Sequence, residues 1–153
     1  MYIRTAEIKD IKFINELYKN LFETMEKLQP KYIKSAFQDE EFIKNTIEKE
    51  EAEIFVAIEE DKIKGFLLIQ EQETPPYTCM VFHKYAYITD LIVNTEDRGK
   101  GIGTMLLNFA KEWARKRNLD YIELGVLNNN DRAIKLYKKE NFKKTMYIMR
   151  MEI

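Results

Sequence analysis

The stretch Arg98-Gly99-Lys100-Gly101-Ile102-Gly103 decides how this chain is read, because of what stands on either side of it. Upstream, Tyr87-Ile88-Thr89-Asp90-Leu91-Ile92-Val93 has the β-branched, apolar make-up of a buried strand. Downstream, Ile102, Met105, Leu106, Phe109, Ala110 and Trp113 recur at helical spacing. The glycines therefore fall at a helix entrance, where the first N–H groups have no intrahelical partner and the helix dipole is positive. Glycine lets such a backbone close around a phosphate without a Cβ in the way, so the loop reads as an anion cradle. Arg98 and Lys100 add positive charge to it. The spacing fits neither the dinucleotide fingerprint G-x-G-x-x-G nor the nucleotide P-loop. The competing reading is a tight turn that needs only positive φ.

Outward from this loop, 153 residues suit a single domain spanning 1–153, with 45% hydrophobic and 12% aromatic residues to fill a core. Cys79 stands alone, which excludes an intramolecular disulfide, and the amino-terminal residues lack the apolar run of a signal peptide. A cytoplasmic location is the expectation. No apolar run is long enough to span a membrane. His83 is the only histidine, and no metal set can be assembled around it. The net charge of −1 gives no case for nucleic acid. It is unevenly placed, however: residues 1–76 hold 11 basic and 17 acidic side chains, residues 77–153 hold 14 and 9. A basic half suits a phosphate-rich ligand and an acidic half suits an ammonium.

The remaining periodicities predict a strand at Tyr2–Thr5, a helix from about Glu7 to Leu28, and a second helix from Asp39 to Lys49. Ile54–Ile58 and Gly65–Ile69 form an antiparallel hairpin around a polar turn, with a third strand from Lys84 to Val93. After the glycine loop come a helix from Ile102 to Arg117, a strand from Tyr121 to Val126, a helix from Asn130 to Lys139, and a closing strand around Thr145–Met151. The order β-α-α-β-β-β-α-β-α-β implies an α/β (α+β) fold, a mixed and mostly antiparallel central sheet flanked by helices.

Arg98, Gly101 and Gly103, followed by Asn130-Asp131-Arg132-Ala133-Ile134-Lys135-Leu136-Tyr137 and then Asn141-Phe142, resemble the two ordered motifs of the GCN5-related N-acetyltransferase (GNAT) superfamily. The detailed resemblance runs from about Ala86 to Phe142. Asn141 departs from the family's usual glycine, and asparagine is the next best residue for a left-handed helix end. The resemblance implies an enzyme that transfers an acetyl group from acetyl-CoA to a primary amine, by direct attack in a ternary complex and without a metal. It implies that Arg98, Gly99, Lys100, Gly101, Ile102, Gly103 and Thr104 hold the pyrophosphate, and that Leu91, Ile92, Val93 and Asn130 hold the pantetheine arm. Family members splay the strand at Leu91–Val93 from the next one, and Gly125 is where that opening needs room.

For the chemistry, Tyr137 resembles the family's general acid, although Ile134 and Tyr137 at i, i+3 are also a packed helix face. Asn130 is equally a favoured N-cap. For the base, Asp90 and Glu123 are the candidates, and strand alternation could send either to solvent. A CoA-binding sensor without turnover and a protein or peptide N-acetyltransferase are the alternatives to a small-amine enzyme. The acceptor surface is expected between the first two helices, about Gln29–Gln38, with Tyr32, Phe37, Tyr77 and Glu71 as candidate lining. Eleven residues follow Phe142, too few for two strands and a long loop. The acceptor site is therefore expected to be open or completed by a neighbouring subunit, and exposed strand edges make a homodimer reasonable.

Overall fold

The computed structural model describes all 153 residues. Strands β1 (Tyr2–Thr5), β2 (Ala52–Glu59), β3 (Lys62–Glu73), β4 (Lys84–Val93) and β5 (Ile122–Leu124) lie side by side in that order. The first four pair antiparallel, and β5 pairs parallel to β4. Helices α1 (Ile11–Leu28) and α2 (Glu40–Glu48) cover one face, and α3 (Ile102–Lys116) and α4 (Asp131–Lys139) the other. This is the mixed α/β sheet expected from the order of elements.

Because both faces are covered, the central runs Ile54–Ile58 of β2 and Gly65–Ile69 of β3 are apolar without interruption and divide by alternation between two cores. Ile54, Val56, Ile58, Phe66 and Leu68 join Ile14, Leu17, Tyr18 and Ile43 on the α1 side. Phe55, Ala57, Leu67 and Ile69 join Ile102, Leu106, Leu107, Ala110 and Trp113 on the α3 side. Gly65 belongs to this packing, since a Cβ there would stand 2.7 Å from the Ile92 carbonyl oxygen.

Two features open the sheet at the glycine loop. The β4–β5 ladder runs only from Ala86↔Ile122 to Ile88↔Leu124, so from Thr89 to Val93 β4 pairs with β3 alone and its other edge is free. The β3–β4 register also slips, with Leu68 opposite Asp90 and Ile69 opposite Ile88, leaving Thr89 as a bulge. The extra residue inverts the alternation: Ala86 and Ile88 face the α3 core, whereas Ile92 beyond the bulge faces the α1 core. Asp90 is carried to the α1 side with it.

The closing strand expected at Thr145–Met151 is corrected by the structure. Residues 143–153 form no regular element, and none of their backbone groups bonds another backbone group. After α4, Asn141 takes φ 70° and the Phe142 N–H returns to the Tyr137 carbonyl at 2.9 Å, which sends the chain away from β5.

Candidate active site

At the head of α3 the glycines divide into two physical roles. Gly99 and Gly101 have φ of 78° and 81° with open space where a Cβ would stand, so they shape a cradle. Gly103 is helical and packs closely on α4, a Cβ there standing 2.9 Å from Leu136 Cδ2, the tip of a side chain that would have to shift. Met105 is the first α3 residue whose N–H finds an intrahelical carbonyl, that of Gly101 at 3.0 Å. The N–H groups of Ile102, Gly103 and Thr104 thus remain for an anion.

The charges around the cradle differ from the expectation in one respect. The Lys100 ammonium is tied to Asp97 at 2.8 Å, and Lys64 approaches the same carboxylate at 3.4 Å. Lys100, followed by Asn94, holds the Asp97 carboxyl below its ordinary range. Lys100 therefore anchors the turn. Arg98 is half-buried and donates Nε–H to the Val93 carbonyl at 3.1 Å. Burial, and then the charge of Arg132, lower the pKa of Arg98. Arg132 stands exposed in the first turn of α4 and gives the cradle a second guanidinium. Its place in the chain, 34 residues from Arg98, gave no sign of the pairing.

Below the cradle, the unpaired half of β4 lines a slot. Asn94 N–H bonds the Lys64 carbonyl at 2.8 Å and Ile92 stands opposite Phe66. Alternation then turns the N–H and C=O of Leu91 and Val93 toward the open edge, where amides of an extended ligand can pair with them. Gly125, just beyond β5, keeps the opposite wall low, its absent Cβ lying 3.4 Å from the Tyr87 hydroxyl. Asn130 caps α4, its Oδ1 accepting the Ala133 N–H at 3.2 Å, which leaves its amide NH2 for another partner.

The structure brings Asp90 and Tyr137 together at the slot and adds Tyr18. Tyr18, fully buried on α1, donates its hydroxyl to Asp90 Oδ2 at 2.7 Å. Burial raises the pKa of Asp90, and the Tyr18 hydrogen bond opposes that rise. Tyr137 comes from α4 on the other face, its ring packed edge-on to Phe142 at 5.8 Å. Burial, and then the charge of Asp90, push its hydroxyl up to about 12. Asp90 and Tyr137 thus reach the region where β5 leaves β4 from opposite faces of the sheet, both shifted upward by burial. Tyr18 sits with Ile14 and Leu17 on the apolar stripe of α1. Only the bulge at Thr89 makes it a partner of Asp90.

Other candidates lie elsewhere. Glu123 is exposed opposite Tyr87, beside the stacked rings of Tyr85 and Tyr121, lower on the sheet than Asp90. Glu71 binds Arg117 at 3.2 Å near the far end of β3, and Tyr77 belongs to the loop joining β3 to β4 at the end opposite the cradle. Phe37 lies under Lys19 on the outer side of α1. Tyr32 follows α1 and meets Arg150 and Glu152, and nearby in the chain the Leu28 carbonyl accepts from Asn129 at 2.7 Å. No group of three or more histidine, cysteine or acidic side chains is placed to hold a metal, and no helix is long and apolar enough to cross a membrane.

This architecture is shared with known proteins. The chain is 28% identical over 142 residues to the uncharacterized N-acetyltransferase YhfO of Bacillus subtilis, covering 93% of this chain and 89% of that one. It is 28% identical over 119 residues to streptothricin acetyltransferase A of Bacillus subtilis, covering 78% and 63%. A crystal structure of a tetramutant of the BH1408 protein from Bacillus halodurans superposes with a TM-score of 0.95 at 25% identity, over all of both chains. The match spans only 25% and 33% of the lengths of two further curated relatives, MJ1207 of Methanocaldococcus jannaschii and YobR of Bacillus subtilis. The acetyltransferase (GNAT) family model matches residues 14–142, from α1 through both motifs to Phe142, and the chain belongs to that family.

Proposed function

We propose that this protein transfers the acetyl group of acetyl-CoA to a primary amine of a small molecule. The observation that carries the reading is the slot between β4 and β5, with an anion cradle at its head and the Asp90–Tyr137 pair at its side. The cradle fits a pyrophosphate: three free N–H groups at a helix N-terminus, two positive-φ glycines with no Cβ, and the guanidinium groups of Arg98 and Arg132. Leu91 and Val93 offer strand-like hydrogen bonds to the two amides of the pantetheine arm, and the Asn130 amide adds a donor. The thioester supplies an activated acyl carbon.

The side chains then divide the proton transfers. An alkylammonium, with pKa near 10, must lose a proton before its nitrogen can attack. Asp90, a stronger base than a free aspartate because burial disfavours its charge, takes that proton directly or through one water. As the C–N bond forms and the C–S bond breaks, the thiolate takes the proton of the Tyr137 hydroxyl. The second proton of the now acidic nitrogen returns to that phenolate directly or through water to leave the neutral amide, and Asp90 passes the first proton to solvent. No covalent enzyme intermediate is required. A small amine is favoured by the likeness to an enzyme named for streptothricin and by the acidic first half of the chain.

The test is thiol release from acetyl-CoA with a panel of polyamines, aminoglycosides, streptothricin and lysine peptides, alongside direct measurement of acetyl-CoA binding. Turnover with a small amine supports the reading. Failure to bind acetyl-CoA at millimolar concentration would remove it, and binding with no turnover on any amine would turn it toward a sensor.

A further inference from the structure

We propose, on the footing of the acetyl transfer above, that the acceptor is a small dication whose second ammonium, roughly 6–9 Å from the amine that is acetylated, rests on a floor of tyrosine rings against Glu123. The floor is the part of the sheet below Asp90 on its α1 face. Ala86 and Ile88 of β4 and Ile122 and Leu124 of β5 pack toward α3, so alternation turns Tyr85, Tyr87, Glu123 and Gly125 to the opposite face. Tyr121 joins them there, its ring stacked on that of Tyr85 at 4.8 Å. Gln72 closes the lower end by accepting the Tyr85 hydroxyl at 3.0 Å. Between Asp90 and Gln72 the strands contribute no basic side chain to this face, and alternation places Lys84 on the other one, paired with Glu73.

The bulge at Thr89 brings this floor within reach of the reacting amine. Asp90 stands opposite Leu68 and Tyr87 opposite Gln70, so only two residues of β3 separate them along the sheet, about 7 Å. Glu123 stands opposite Tyr87 one strand over, about 4.8 Å to the side. The backbone positions that carry the two carboxylates are therefore about 8 Å apart on one face. Without the extra residue Asp90 would follow Ala86 and Ile88 to the α3 face, and no single ligand could lie along both acids. Gly125 keeps the step from slot to floor low, since a Cβ there would stand 3.4 Å from the Tyr87 hydroxyl.

Glu123 is left without a partner among these groups. It makes no hydrogen bond or ion pair within the chain, whereas Asp120 is held by His83 at 2.7 Å and Glu71 by Arg117 at 3.2 Å. Its charge reaches the rings beside it: after burial, Glu123 is the next largest cause raising the hydroxyl pKa of both Tyr85 and Tyr121. An ammonium over such ring faces and beside a carboxylate gains from both, and a neutral or anionic end of an acceptor gains from neither. Half-buried Tyr85 and Tyr87 also keep off part of the water that weakens a surface ion pair. One end of the acceptor is thus held by its charge while the other loses its proton to Asp90 and becomes the nucleophile.

Thiol release from acetyl-CoA by the full chain, measured with 1,3-diaminopropane through 1,8-diaminooctane, each beside the monoamine of the same length, tests the proposal, together with calorimetry of diamine binding. The expected result is a kcat/KM for diamines in the middle of the series at least about tenfold above that of their monoamines, since a charged hydrogen bond separates the two. Glu123→Gln replaces an exposed carboxylate that no other group holds, so the fold is kept. It should raise the diamine KM about 10–100-fold with kcat little changed, and remove the advantage over the monoamine. Tyr121→Leu should raise that KM about 2–5-fold through loss of the ring's negative face. Monoamines used as well as diamines at every length, lysine peptides used better than any diamine, or a diamine preference that survives Glu123→Gln would each overturn the dication floor and leave the acetyl transfer standing. Diamine binding that depends on Glu123, with no turnover of any amine, would uphold the floor and remove the transfer.

Discussion

Tyr18→Phe removes one oxygen from the protein, and the structure says where the cost falls. The Tyr18 hydroxyl donates to Asp90 Oδ2 at 2.7 Å from a fully buried ring, so the variant leaves the carboxylate in place without its donor. The folded pKa of Asp90 is raised, so its contribution to stability is fully present below the unfolded value and declines as pH rises through the folded value. The hydroxyl limits that decline by favouring the charged form, and its loss raises the Asp90 pKa further. A hydrogen bond to a charged group contributes about 1.5–3 kcal/mol and one between neutral groups about 1 kcal/mol. Tyr18→Phe should therefore cost about 1.5–3 kcal/mol at pH 8, a fall in melting temperature of about 3–12 °C, and about 1 kcal/mol at pH 4. Urea unfolding at the two pH values measures this without any acceptor being known. Tyr18→Phe combined with Asp90→Asn should show no such pH dependence, and with an acceptor in hand the acid limb of kcat/KM should move to higher pH in Tyr18→Phe. Equal losses at pH 4 and pH 8 would refute the assignment of Tyr18 as the donor that holds a buried charge.

Tyr137→Phe should lower kcat by about 10²–10⁴ with the acetyl-CoA dissociation constant little changed, because the hydroxyl acts only on the leaving sulfur; stopped-flow thiol release and calorimetry separate the two. With Tyr137 pushed up to about 12, the wild-type rate should show no fall from loss of its proton between pH 7 and 10. Gly101→Ala forces a side chain to φ 81° in open space, so it should cost about 1–2 kcal/mol of stability and weaken acetyl-CoA binding, both measurable by thermal shift with and without the ligand. Gly65→Ala should be more damaging to stability and neutral in its direct effect on binding, since its Cβ meets backbone at 2.7 Å with no flexible side chain to yield. A soluble Gly65→Ala protein with unchanged urea midpoint would contradict that packing.

Element order, the helix stripes and the hairpin were legible because each rests on periodicity within one segment. The loop from Arg98 to Gly103 was legible for the same reason, as were Asn130 at a helix start and Asn141 at a left-handed helix end. The sequence placed Lys100 at the cradle as positive charge, and the turn adds what it did not show, an ion pair with Asp97 three residues away. Glu71 and Tyr77 were assigned to the acceptor wall on composition, and the antiparallel run of β3 and β4 carries both to the opposite end of the sheet. The strand at Thr145–Met151 has the right residues and no partner, since strand character is a property of a segment and pairing a property of its neighbours.

The sequence alone determined that two apolar faces would sandwich a sheet and that a glycine turn would open α3, because spacing along one chain specifies which side of a helix or strand is apolar and where a helix begins. What the tertiary structure decided is which groups meet. One extra residue at Thr89 reverses the alternation of β4 and turns Asp90 from the α3 side to Tyr18 on α1. The separation of β5 from β4 after Leu124 then lets Tyr137 approach the same carboxylate from the other face. Register and splay are set by the fit between packed layers, and no single segment encodes them.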